Sequence, residues 1–224
     1  MMDMHIHVRN ILNNPNEIED YINKFKKYNI TELCFLEHGE RISNKHKGYL
    51  VDKEGANQLK KMVDITNKKY KEMVILTGIE IDYSNNMEFR ERTLQYLADN
   101  NFEVVIGSVH NFDEKDDKEY FWAVCDLLKN YPINILGHLK LKNNWLLHLD
   151  SIEDIIILCK KKNIAIEINT SDRSIWNDEQ HFYMMSLIDK YNIKYTIGSD
   201  AHKLDDIGKN YNLLFKRFEN RGAK

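Results

Sequence analysis

Short runs rich in Ile, Val, Leu and Phe recur along the chain and alternate with longer stretches in which apolar residues return every three or four positions. The first pattern suits buried strands and the second suits helices with one apolar face. Their regular alternation predicts βα units around a parallel sheet. Strands are expected at 2–8, 31–37, 73–82, 103–109, 133–138, 163–169 and 194–199. Helices are expected at Glu17–Tyr28, Glu54–Tyr70, Met87–Asn100, Lys115–Asn130, Ser151–Lys162, Glu179–Tyr191 and Asp205–Asn220. Asn16, followed by two acids within the first turn, and Ser151, with Asp154 three residues on, read as N-caps. No linker, repeat or charge block separates the seven units, so residues 1–224 are expected to form one domain, an α/β barrel closed or nearly closed on itself. The longest stretch without an element, His38 to Lys53, carries Arg41, His46, Lys47 and Tyr49. In a βα barrel such a loop sits at the C-terminal mouth, as a solvated connection or as a lid over substrate.

Composition narrows the function. With nine Gly and two Pro in 224 residues the chain is not a low-complexity or linker-rich protein. A formal net charge of −3 gives no basic field for a polyanion, so nucleic acid is not expected as a partner. Cys34, Cys125 and Cys159 are odd in number and far apart, which fits buried thiols and neither a disulfide framework nor a CxxC motif. No basic segment precedes an apolar run at the N-terminus, and no stretch reaches the roughly 18 apolar residues of a membrane span. A cytoplasmic protein without membrane association is the expectation; no pattern specifies an oligomeric state.

The chemistry gathers at strand ends. His5-Ile6-His7 lies in the first strand, where alternation points both imidazoles the same way. Later strands end in Glu37-His38-Gly39, Gly78-Ile79-Glu80, Gly107-Ser108-Val109-His110, Gly137-His138 and Gly198-Ser199-Asp200-Ala201-His202. Gly78, Gly107, Gly137 and Gly198 stand just before these candidates, where a missing Cβ lets a ligand approach the backbone. Any one of these histidines reads equally as a hydrogen-bonded core residue. Six of them with Glu80 and Asp200 at one barrel mouth predict a multinuclear metal site, because so many polar groups cannot be buried without a partner. Imidazole and carboxylate without thiolate suit Zn, Mn or Fe. His46, His148 and His181 fall in loops or helices and read as surface or structural residues. Glu167 either orients a ligand histidine or simply faces the barrel interior. Arg173 would project at the same mouth and take a phosphate bidentately. Arg9 and Arg41 leave the first two strands toward the same region, and all three arginines also read as ordinary surface residues.

Together with Glu167-Ile168-Asn169-Thr170, these motifs resemble the polymerase and histidinol phosphatase (PHP) superfamily over positions 5 to 202. The Gly-Ser-Asp-Ala-His-Lys ending and Asp205-Asp206-Ile207-Gly208 resemble its histidinol-phosphate phosphatase branch. The resemblance implies a distorted (β/α)7 barrel with two to three divalent metal ions. His5, His7, Glu80 and Asp200 would hold the first, Glu80, His110 and His138 the second, and His38 and His202 the third. The position that usually completes the third site is Asn13 here, so that site would be weak, empty or differently completed. The implied reaction is hydrolysis of L-histidinol phosphate, in histidine biosynthesis, by a hydroxide shared between metals. Glu80, Asp200 and His202 are then the catalytic candidates, and Arg173, Arg41 and Arg9 the phosphate-binding ones. The alternatives are another small phosphate ester, phosphotyrosine, or a metal-binding module without turnover.

Overall fold

A computed structural model describes residues 1–40, 52–110, 117–141 and 144–222. The expected loop around Arg41, His46, Lys47 and Tyr49 lies outside the described residues, as does the expected helix start at Lys115. The strands are β1 (Met2–His7), β2 (Glu32–Leu36), β3 (Val74–Asp82), β4 (Val104–Ser108), β5 (Ile135–Leu136), β6 (Ala165–Asn169) and β7 (Tyr195–Gly198). The helices are α1 (Arg9–Asn13), α2 (Ile18–Lys27), α3 (Lys53–Lys69), α4 (Met87–Asp99), α5 (Asp117–Asn130), α6 (Leu149–Lys162), α7 (Asp178–Tyr191) and α8 (Tyr211–Gly222).

All seven strands run parallel in sequence order, the arrangement that right-handed βα crossovers impose. The sheet closes at its mouth. Ile6 bridges Ala201, the His7 N–H donates to the Ala201 carbonyl at 2.9 Å, and the Asp200 N–H donates to the His5 carbonyl at 2.8 Å. The result is a distorted (β/α)7 barrel. Leu36, Ile106, Ile135, Cys34 and Val104 fill its interior with Met4, while Ile6, Phe35, Ile79 and Ile166 pack outward against the helices. Positions 36, 78, 106 and 165 therefore share a face with His38, Glu80, Ser108 and Glu167, each two residues nearer the mouth.

Three helix ends turn on an asparagine in the left-handed region, Asn29, Asn163 and Asn192, each just before a strand. Asp52, Asn86 and Asn177 cap α3, α4 and α7, the last in a capping box with Gln180. Three expectations need correction. Asn16 sits inside a short 3-10 turn, Pro15–Glu17, and α6 begins at Leu149 after His148, so neither Asn16 nor Ser151 is a cap. The last helix starts at Tyr211 rather than Asp205, because Gly208 at φ +83° and Asn210 at φ +58° break the run after the turn Leu204–Asp206. β5 is two residues long rather than six: the Gly137 N–H still donates to the Gly107 carbonyl at 2.9 Å, but His138, at φ +21°, turns out of the ladder. Cys34 and Cys159 are buried and Cys125 half-buried, all as free thiols. No helix among the described residues is long and apolar enough to cross a membrane.

Candidate metal centre

The six strand-end histidines, Glu80 and Asp200 meet at the mouth. Their ligand atoms form three groups, each within 4.8 Å: His5, His7 and Asp200; Glu80, His110 and His138; and His7, His38 and His202. Alternation along β1 aims both imidazoles inward, with their Nε2 atoms 3.2 Å apart. The ladder that pairs β2 with β3 continues past Leu36, where a bridge joins His38 to Glu80. It brings His38 Nδ1 to 2.8 Å from Glu80 Oε2. Glu80 lies centrally: Oε1 is 3.0 Å from His138 Nε2 and 3.3 Å from His110 Nε2, and Oε2 is 3.5 Å from Nε2 of both His5 and His7. Asp200 Oδ1 is 3.3 Å from His7 Nε2 and 3.6 Å from His5 Nε2. Two of these residues, His138 at φ +21° and Asp200 at φ +53°, hold backbone conformations that non-glycine residues rarely adopt, as functional side chains often do.

A set of carboxylates fixes the imidazoles. His5 Nδ1 donates to Glu167 Oε1 at 2.7 Å, and the His138 N–H donates to Glu167 Oε2 at 2.6 Å. Glu167 therefore both faces the interior and orients a candidate ligand. His110 Nδ1 donates to Asp82 Oδ1 at 2.6 Å, and Glu37 Oε2 lies 3.7 Å from His7 Nδ1. Donation through Nδ1 leaves the His5 and His110 Nε2 lone pairs turned into the cluster. Sequence reasoning gave no role to Asp82, Glu37 or Asp3. The parity of Glu80 and Asp82 on β3 was the available signal for the first.

The electrostatics follow from burial and proximity. Burial alone would lower the His5 imidazolium, but Glu167, Glu80 and Asp200 outweigh it and hold its pKa well above the ordinary value. His110 is likewise opposed by burial and is pushed up to about 10 by Glu80 and Asp82. Burial would raise Glu80 and Asp200, yet the surrounding imidazoles keep both below the usual carboxylate range. His202 moves the other way, lowered by burial and by His7. The carboxylates thus demand positive charge from the imidazoles. Glu80 Oε2 is buried and makes no hydrogen bond among the described residues. A divalent cation accepting lone pairs from this nitrogen and oxygen donor set would meet both conditions, so the residues present fit the metal ions that the resemblance implies.

Beside the cluster opens a cleft of about 490 Å³ whose lining includes Arg173, Lys203 and Lys209 with Asp172, Asp200, His202 and Asp206. Arg173 is exposed and makes no ion pair among the described residues, whereas Lys209 is held by Asp206 at 2.8 Å. Arg9 opens α1, exposed, with its backbone N–H on Glu37. Arg41 lies outside the described residues. Asn13 ends α1, exposed. His148 lies 3.8 Å from Asp117, and His181 is buried beside Phe182 and Phe218, both outside the three groups.

The glycines act differently from expectation. A Cβ at Gly198 would stand 1.9 Å from Glu167 Oε1 and 2.8 Å from the His5 Cβ. One at Gly78 would meet Cys34 Sγ, at Gly107 the Ile133 side chain, and at Gly137 Ser108 Oγ. Protein side chains occupy the space that these glycines leave, so they shape the cluster's supports rather than a ligand's path.

The sequence matches the family model of the PHP domain over residues 3–171 and that of the PHP-associated region over residues 180–222. A protein named probable phosphatase from Thermoanaerobacter sp. (strain X514) is 25% identical over 232 residues, covering 99% of this chain and 86% of that protein. Another of that name, from Vibrio cholerae serotype O1 (strain M66-2), is 29% identical over 141 residues, 60% of this chain and 54% of that protein. Among solved structures the fold is similar to histidinol phosphate phosphatase from Lactococcus lactis subsp. lactis Il1403, complexed with Zn, L-histidinol and phosphate. The TM-score is 0.70 at 17% identity, over 96% of this chain and 93% of that one.

Proposed function

The chain belongs to the PHP domain family, and on that premise we propose that it is a metal-dependent phosphomonoesterase, with L-histidinol phosphate as its leading substrate. One observation carries the reading: three groups of nitrogen and oxygen donors converge beside a cleft that presents Arg173, which makes no ion pair among the described residues. The names of the relatives and the ligands of the Lactococcus lactis protein support it. His5, His7, Asp200 and Glu80 would hold one divalent ion, Glu80, His110 and His138 a second, and His38 and His202 with His7 a third. Divalent ions bound there supply a water of lowered pKa and neutralise charge on phosphate oxygens.

The chain's own residues do the rest. Glu167 and Asp82 keep His5 and His110 in the tautomer that offers Nε2 inward. Arg173 would take the phosphate through two N–H groups and set its orientation. His202, lowered and therefore neutral near pH 7, donates Nδ1–H to the Asp200 carbonyl at 2.9 Å and keeps a lone pair on Nε2. That lone pair can ligate an ion or accept a proton from the attacking water. β7 and α8, within the second family match, complete the same sheet and its cover, so residues 1–224 act as one catalytic unit in this reading.

A second reading has its own observation. Among the described residues the cleft lining includes no aliphatic side chain and no aromatic ring besides the His202 imidazole, which favours a more polar phosphate ester than histidinol phosphate. Phosphate release from L-histidinol phosphate, a phosphotyrosine peptide and a set of sugar phosphates, each with Mn, Zn or Fe, separates these. The highest kcat/KM is expected for L-histidinol phosphate; a sugar phosphate leading instead would establish the second reading. Release from none of them with any metal would overturn both.

A further inference from the structure

The seam that closes the barrel is held by a buried carboxylate outside the metal cluster. Asp3 is fully buried. Its Oδ1 accepts from the backbone N–H of His5 at 3.3 Å and of Ser199 at 2.9 Å, and its Oδ2 accepts from the Tyr211 hydroxyl at 2.6 Å. The position explains the need. The register of β1 against β2 shifts between Asp3 and Ile6, and among the described residues β1 and the chain leaving β7 share one isolated backbone bridge, Ile6 with Ala201, in place of a ladder. Where the ladder fails, the carboxylate supplies the missing acceptors.

The first site hangs from this seam. His5 and His7 come from one side and Asp200 from the other, one residue after Ser199, and the Asp200 N–H itself rests on the His5 carbonyl. His110 and His138 of the second site follow β4 and β5, strands that do not form the seam, and meet it through Glu167 and Glu80. Tyr211 cannot swing aside. It is buried, and its ring packs edge-on against Tyr28 with centroids 5.4 Å apart. The start of α8 is fixed by Asn210, whose side chain donates to the Thr170 carbonyl at 2.8 Å.

We propose that Asp3 and Tyr211 are positioning residues: α8, through the Tyr211 hydroxyl, locks the Asp3 carboxylate, which sets the spacing of His5, His7 and Asp200 and hence, above all, the affinity of the first metal site. The inference rests on the metal-site reading above and gives the PHP-associated segment a task in it. Tyr211→Phe keeps the ring and its packing and removes only the donor; Asp3→Asn keeps the Oδ1 acceptor and removes the charge. Calorimetric titration of metal-free protein with Mn²⁺ separates the classes of site without any substrate.

In Tyr211→Phe one class should weaken on the order of tenfold and the other by clearly less, through the shared Glu80. At saturating metal, kcat and KM should return to wild type. Should Tyr211→Phe fail to fold, Asp3→Asn carries the same expectation. A lower melting temperature with both classes unchanged would mean a purely structural role and would overturn the proposal, as would equal weakening of both classes. Wild-type protein that binds metal but releases no phosphate would contradict the proposed function and leave the clamp standing, whereas a wild type that takes up no metal would remove both.

Discussion

His5 and His7 differ by what stands behind them. Period-two alternation was enough to aim both inward, and their Nε2 atoms do lie 3.2 Å apart. Which nitrogen each presents depends on partners far away in the chain: Glu167 on β6 for His5, and Glu37 after β2 near His7. Asp82 does the same for His110 from the next strand. Such pairings are long-range and leave no local pattern, so the ligands were legible and most of the groups that orient them were not. The charge balance these groups create is measurable. In metal-free protein the carboxylates hold His110 up to about 10 and His5 well above its ordinary value. That stabilisation is fully present below the unfolded-state value of about 6.5 and is lost as pH rises through the folded values. Chelated protein should therefore melt at progressively lower temperature from about pH 7 to about pH 10, and added divalent ion should remove most of the slope. A metal-free melting temperature flat across that range would contradict this assignment of charge.

The seven strands and the βα rhythm were legible because buried parallel strands read as apolar runs and the helices between them carry one apolar face. Boundaries failed where one residue's backbone decided them. Gly208 delayed α8, and His138 cut β5 short. The bulge in β1 likewise leaves no trace in the sequence, yet it lets Met4 fill the barrel interior and Asp3 turn to the seam. The fit between β6 and β7 offers a test at this scale. Gly198 pairs with Asn169, and its missing Cβ makes room for the Glu167 carboxylate that steadies His5. Gly198→Ala should displace that carboxylate at a cost of about 2 kcal/mol, roughly 4–8 °C in Tm, and should weaken metal binding as well. A variant with wild-type Tm and metal affinity would show that Glu167 can relax at no cost.

At the scale of the whole molecule, closing seven parallel strands brings together residues from position 5 to position 202, which no segment of the chain could do alone. The chain of 224 residues is shorter than the roughly 250 of an eight-unit barrel, consistent with one unit fewer. Its net charge of −3 was a poor guide to the mouth, where Arg173 and Lys203 stand exposed beside Asp200 and His202. Global charge argues against a broad basic footprint for nucleic acid, while local placement decides what the cleft attracts. The central claim is that these donors hold divalent ions on which phosphoester hydrolysis depends. Its most direct test is stepwise return of Mn²⁺ to chelator-stripped protein, with bound metal and phosphate release from L-histidinol phosphate measured on the same samples. The account predicts no release from stripped protein and a rise that follows occupancy of the second ion per chain. Full activity in protein shown to be metal-free, or ions taken up with no phosphate released at any occupancy, would contradict it.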